Sequence, residues 1–210
     1  MKESNYEITK KRTAELFLKY DQESMIQKYD LKHDADYLFL DFLGQTYRIN
    51  RATGLVERCS EALCPVEEAG YNEAMSIYDI LCYAKDDACL SGQYCPTNSL
   101  KGIIKTSCSH PADGSFREES RYFDTRIEAL AEACRALGGV PEGKGDVAYR
   151  IQVFPFLPVI VQFWNSDEEF EPELQFLWDT NVLQYLHFET LWYVMGHMVK
   201  RLKEMVENRK

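Results

Sequence analysis

Residues 147–187 read VAYRIQVFPFLPVIVQFWNSDEEFEPELQFLWDTNVLQYLH, and the fold class turns on how this stretch is parsed. Val147–Phe154 alternates apolar and polar residues, the period of a strand with one buried face. Pro158–Trp164 is almost continuously apolar, as a strand covered on both faces must be. The segment Phe154-Pro155-Phe156-Leu157-Pro158 is too short for anything but a tight connection, so the two strands form an antiparallel hairpin. The strand then opens onto the acidic residues Asp167, Glu168, Glu169 and Glu171. Beyond them Pro172–Trp178 is expected to be a short helix, with Ser166 or Asp167 as its cap. Phe188–Val206 carries Leu191, Val194, Met195, Met198, Leu202 and Met205 at helical spacing, with Lys200, Arg201 and Lys203 near its C-terminal end.

Working outward, Asp36–Phe42 (DYLFLDF) and Gln45–Asn50 (QTYRIN) alternate with period two around Gly44, the signature of a hairpin. Leu55–Cys59, after a turn at Thr53–Gly54, makes a third strand and completes a meander. Helices are expected over Tyr6–Tyr29, Glu67–Tyr83 and Asp124–Leu137. The first has an apolar face of Ala14, Leu16, Phe17, Leu18 and Tyr20. The last has Asp124 as N-cap and Gly138–Gly139 as its stop. Pro141–Gly145 is a flexible connection. Ala84–Pro111 is irregular, with glycines, prolines and several cysteines, and so long a loop suggests a binding or lid role. The expectation is one α+β domain over residues 1–210. It has an antiparallel sheet, an N-terminal meander plus a C-terminal hairpin, packed with four to five helices and carrying a long loop at 84–111.

The formal net charge is −10, so a phosphate backbone or an anionic membrane surface is repelled and neither nucleic acid nor membrane is expected as a partner. The first residues, MKESNYEITKKRT, lack an apolar leader, and no apolar run reaches the length of a membrane span. A soluble, cytoplasmic protein is expected. The seven cysteines are odd in number and irregularly spaced, which suits reduced thiols better than a disulfide framework.

Four blocks resemble one family: LGQTYRIN (Leu43–Asn50) followed by Gly54, LSGQY (Leu90–Tyr94), FPFLPVIVQFWNSDEEF (Phe154–Phe170) and QFLWDTNVLQYLHFETL (Gln175–Leu191). Their order resembles an uncharacterised domain-of-unknown-function family of anaerobic bacteria and archaea, the DUF3786 type. Some of its members carry an added cysteine-rich iron–sulfur module. The resemblance implies an anaerobic, cytoplasmic, cofactor-related setting and supplies no catalytic residue.

Two constellations could carry chemistry. Asp167, Glu168, Glu169 and Glu171 with Asp179 and His187 offer hard oxygen ligands and an imidazole; Asp167, Glu168, Glu169 and His187 are the candidate donor set for a metal ion. The plainer reading is a solvated acidic loop, since adjacent glutamates point in different directions. His187 could be a general base, a metal ligand or an axial ligand to a tetrapyrrole, against a core-edge imidazole bonded to a carboxylate or carbonyl. His197, ten residues on, lies on a different face, so the two are no metal pair. Trp164, Phe170, Trp178 and Tyr185 could wall a planar cofactor next to His187, or simply be core.

The second constellation is Cys82, Cys89, Cys95 and Cys108 with His110. It contains no CxxC pair, so a zinc or iron–sulfur site lacks its usual spacing. Cys59 and Cys64 read as free thiols. The glycines at 138–139 and 143–145 lack a following Lys-Ser/Thr, and no serine sits in a G-x-S-x-G context.

These readings support a small-molecule or metal-cofactor binding or accessory protein of anaerobic metabolism, with a tetrapyrrole or corrinoid as one ligand class. The alternatives are a metal-assisted enzyme using the acidic cluster and His187, and an acidic module that docks a basic protein partner.

Overall fold

The computed structural model describes residues 4–59, 66–101 and 116–208. Those residues form six α-helices and two antiparallel five-stranded sheets, an α+β architecture as expected. By contacts the chain divides into two compact units. One comprises Met1–Cys89, Phe154–Phe156 and Leu183–His197; the other comprises Leu90–Val153, Leu157–Val182 and Met198–Lys210.

The first unit holds the meander. Its strands β1 (Lys32–His33), β2 (Tyr37–Phe42), β3 (Gln45–Asn50), β4 (Val56–Arg58) and β5 (Glu67–Glu68) pair in sequence order. The β2–β3 turn is the two-residue Leu43–Gly44, both at positive φ (49° and 70°), matching the twist of the flanking strands. Leu43 is buried, so burial offsets the strain of a left-handed non-glycine residue.

The expected helix over Tyr6–Tyr29 is two helices, α1 (Asn5–Phe17) and α2 (Gln22–Tyr29). The break has a local cause. Asp21 accepts from the Glu23 backbone N–H at 3.0 Å and from the Ser24 hydroxyl at 2.7 Å, and so starts a new helix. Of the expected apolar face only Phe17 is buried, while Leu16, Leu18 and Tyr20 are exposed. Gly54 packs under α1 so closely that a Cβ there would meet the Ala14 carbonyl oxygen at 2.6 Å. The expected helix over Glu67–Tyr83 begins later, as α3 (Tyr71–Tyr83). Glu67 and Glu68 pair with β4, and the Glu73 carboxylate accepts the Gly70 N–H at 2.5 Å, setting the start of the helix.

The second unit has strand order β6-β10-β9-β8-β7, from β6 (Tyr94–Pro96), β7 (Val140–Pro141), β8 (Val147–Phe154), β9 (Leu157–Trp164) and β10 (Glu173–Asp179). The apolar strand β9 is central and buried along its length except at Trp164, as its composition predicts. Pro172–Trp178 is not a helix. Leu174, Phe176 and Trp178 alternate inward on β10, which pairs with β9 in the register Gln175↔Gln162 and Trp178↔Val159. A short apolar run is ambiguous by itself, and the unpaired edge of β9 decides it.

Asp124 does not cap the following helix. It ends α4 (Arg117–Asp124), and its carboxylate accepts the backbone N–H and hydroxyl of Ser166, each at 2.8 Å. Helix α5 (Ile127–Ala136) stops at Gly138, at φ 74°, as expected. The segment Pro141–Gly145 begins in strand β7, which lies at the sheet's edge where a proline is tolerated. Within 84–111 the chain makes β6 and a 3₁₀ turn, Thr97–Ser99; residues 102–111 lie outside the described residues. The terminal helix α6 (Phe188–Glu207) buries Leu191, Val194, Met195, Met198 and Leu202, while Met205 is half-buried.

Candidate functional site

His187 sits at the entry to α6 in the first unit, and its side chain is 57% exposed. Asp79 on α3, itself 13% exposed, holds it twice. The His187 backbone N–H donates to Oδ2 at 2.8 Å, and the ring Nδ1 lies 2.6 Å from Oδ1. The ring also rests on Tyr83, centroid to centroid 3.5 Å. Tyr83 in turn donates to the Leu183 carbonyl at 3.3 Å, and the Lys85 N–H to that of Gln184 at 2.9 Å, so the turn before α6 is tied to the end of α3. An exposed imidazole oriented by a carboxylate can accept a proton or ligate a metal through its second nitrogen. Neither Asp79 nor Tyr83 stands out in the sequence; Asp79 shares a helix face with nothing that marks it as a partner of a residue 108 positions away.

The other residues of the expected sites are placed as follows. Tyr185 is buried in the first unit. Trp164, Phe170, Trp178 and the acidic residues belong to the second unit. Trp178 is fully buried within its sheet, and its indole N–H has no hydrogen-bond partner among the described residues. Trp164 is half-buried at the end of β9, whereas Phe170 is 67% exposed.

Asp167, Glu168, Glu169 and Glu171 are all exposed. Asp167 closes its own loop, Oδ1 accepting from the Glu169 and Phe170 N–H groups at 2.8 Å each. Glu171 accepts from Arg121 at 3.0 Å. With Arg121, Asp124, Ser166 and Pro172 these residues line a shallow groove of about 320 Å³. Among the described residues no three His, Cys, Asp or Glu side chains converge as a metal-ligand set.

Two quoted blocks meet inside the second unit. Asp179, fully buried at the end of β10, accepts from the Ser91 N–H and hydroxyl at 3.0 Å each and from the Gly92 and Asn181 N–H groups at 2.8 Å each. LSGQY and QFLWDTN are thus two halves of one turn closed over a buried carboxylate. Four hydrogen bonds compensate the carboxylate for lost water, which makes this a structural device.

A second buried cluster lies in the first unit and escapes sequence reasoning. The Tyr47 hydroxyl on β3 donates to Glu73 Oε1 at 2.6 Å, and His197 Nε2 on α6 lies 3.5 Å from that hydroxyl and 3.8 Å from the carboxylate. All three side chains are nearly inaccessible. Burial pushes the Glu73 carboxyl up, yet the Tyr47 hydroxyl, the His197 imidazole, the Gly70 N–H and Arg58 outweigh it and hold it below its ordinary value. Phe42 stacks on the His197 ring at 5.0 Å and on Phe154 at 4.8 Å. His187 and His197 face different surroundings, as their spacing predicts.

Four of the described thiols are partly or fully shielded from solvent and held protonated. Burial pushes Cys82 and Cys134 up to about 12 and raises Cys59 and Cys95 as well, with Asp179 adding to the effect at Cys95. No disulfide joins any of Cys59, Cys82, Cys89, Cys95 and Cys134. Cys64, Cys108 and His110 lie outside the described residues. No helix among the described residues is long and apolar enough to cross a membrane.

Fold and site together define an α+β protein with an exposed carboxylate-held histidine and no assembled cluster of metal ligands among its described residues. Residues 21–201 match the model of a family described as a domain of unknown function, DUF3786, and the chain belongs to that family. No curated protein and no solved structure matches it.

Proposed function

We propose that this protein is a cytoplasmic binding or accessory protein for a metal-centred small molecule of the tetrapyrrole or corrinoid class, with His187 as the axial ligand. The observation that carries the reading is the His187 ring itself, more than half exposed and held by Asp79 through Nδ1 at 2.6 Å. A bare metal ion needs three or four protein ligands, and no such set is assembled among the described residues. A tetrapyrrole brings four nitrogens of its own and asks the protein for one or two. An oriented, accessible imidazole is therefore enough for the second kind of ligand and too little for the first. Tyr83 beneath the ring supports the imidazole's orientation.

Anaerobic titration of the full chain with haemin and with aquocobalamin tests this. A shifted absorption spectrum that is lost in His187→Ala supports the reading. Unshifted spectra at protein concentrations up to about 0.1 mM, where axial ligation of useful strength is saturated, refute it.

A second reading is favoured by a different observation: Phe170 stands 67% exposed on a loop of exposed carboxylates. An apolar anchor ringed by like charge is the form of a docking site for a basic protein partner. Its test is co-purification of partners on the intact chain compared with Phe170→Ser.

A further inference from the structure

The Asp79 carboxylate meets two donors of unequal character. The His187 backbone N–H at Oδ2, 2.8 Å, is a donor that cannot change. The ring Nδ1 at Oδ1, 2.6 Å, can donate or accept according to where the imidazole proton sits. A carboxylate only accepts, so the contact at Oδ1 requires the proton on Nδ1.

We propose that Asp79 is a positioning residue that fixes His187 as the Nδ1–H tautomer, so that Nε2 carries the lone pair that a metal centre takes. The use of that lone pair rests on the functional reading above; the tautomer does not. The geometry makes the isosteric variant Asp79→Asn informative. Its amide oxygen must face the backbone N–H, the donor that cannot change. Its amide NH₂ then faces Nδ1, which has to become the acceptor, and the proton moves to Nε2. Shape and the turn before α6 are kept, while the nitrogen that would ligate is capped by hydrogen.

The test is nitrogen-15 NMR of the imidazoles in the full, ligand-free chain at pH 8. His187 is assigned by the signals lost in His187→Gln, and haemin titration is run in parallel. In the wild type His187 shows a protonated Nδ1 and an unprotonated Nε2. In Asp79→Asn the two exchange, haemin affinity falls by about tenfold or more, and the urea midpoint barely moves. A wild-type ring protonated at Nε2, or an Asp79→Asn ring unchanged from wild type, overturns the proposal. Should the wild type show the Nδ1–H tautomer and bind neither haemin nor aquocobalamin, the role of Asp79 stands and the proposed ligand class falls.

Discussion

Two carboxylate–imidazole pairs link helix α3 to α6 and its entry, and they are opposites. Asp79 and His187 form a pair at the surface, 2.6 Å apart with the ring 57% exposed. Glu73 and His197 form a pair in the interior, 3.8 Å apart with side chains 8% and 3% exposed and Tyr47 between them. The residue types are alike, and solvent access separates their roles. A ring that is oriented but open can meet a ligand. A ring enclosed by Tyr47, Phe42 and Glu73 ties strand β3 to two helices and is closed to solvent. Removing a member of the interior pair leaves an uncompensated polar group in low dielectric, whereas at the surface water replaces what is lost.

Glu73→Ala should have the largest effect. It removes the Tyr47 hydroxyl's acceptor at 2.6 Å, the carboxylate beside His197 and the helix-starting partner of Gly70, and should cost about 3 kcal/mol or more in urea unfolding. A loss below about 1 kcal/mol would mean that the interior pair holds nothing together. Tyr47→Phe comes next, at roughly 1–2 kcal/mol, because the carboxylate stays but loses its short hydrogen bond.

That variant also has a pH signature. The folded Glu73 value lies below the ordinary 4.5. Its contribution to stability is therefore fully present above about pH 5 and is lost as pH falls through the folded value. Tyr47→Phe lets the folded value climb back towards or past the ordinary one, so this contribution shrinks. Acid unfolding followed by circular dichroism should begin at a higher pH than in the wild type; an unchanged onset would detach Tyr47 from the pair.

His187→Ala should change stability by less than about 1 kcal/mol, since the ring is exposed and the backbone N–H keeps its bond to Asp79. Binding of a metal-centred ligand should nevertheless vanish. If His187→Ala destabilised the fold as much as His197→Ala, the contrast between the pairs would collapse. Phe170→Ser is expected to be the mildest, within about 0.5 kcal/mol, because a 67% exposed ring contributes little burial. A larger loss would place Phe170 in the core of the folded protein and remove the case for a docking loop.

Much of the fold was legible. The alternation in DYLFLDF and QTYRIN, the apolar run of PVIVQFW and the helical spacing from Leu191 to Leu202 all appear as read. The failures have two causes, one tertiary and one local. Pro172–Trp178 was too short to choose between helix and strand, and the choice came from pairing with β9. The single helix over Tyr6–Tyr29 failed because Asp21 offers its carboxylate to the next turn, a local competition that apolar periodicity does not register. At the site, His187 was legible as an isolated, chemically capable residue. Asp79 was not, because nothing along the chain records a contact between residues 108 positions apart.

The sequence by itself determined the class of fold, the net negative charge, the strands of the two hairpins and the terminal helix that follows His187. These depend on periodicity, composition and turn chemistry, all of which act over a few residues. Tertiary structure alone decided which histidine is open and which is sealed, which aromatic is core and which is exposed, and that Asp79 and Glu73 each face an imidazole. Burial and hydrogen-bond partners depend on where distant segments meet, and ten residues of chain are enough to carry the same side chain from water into the core.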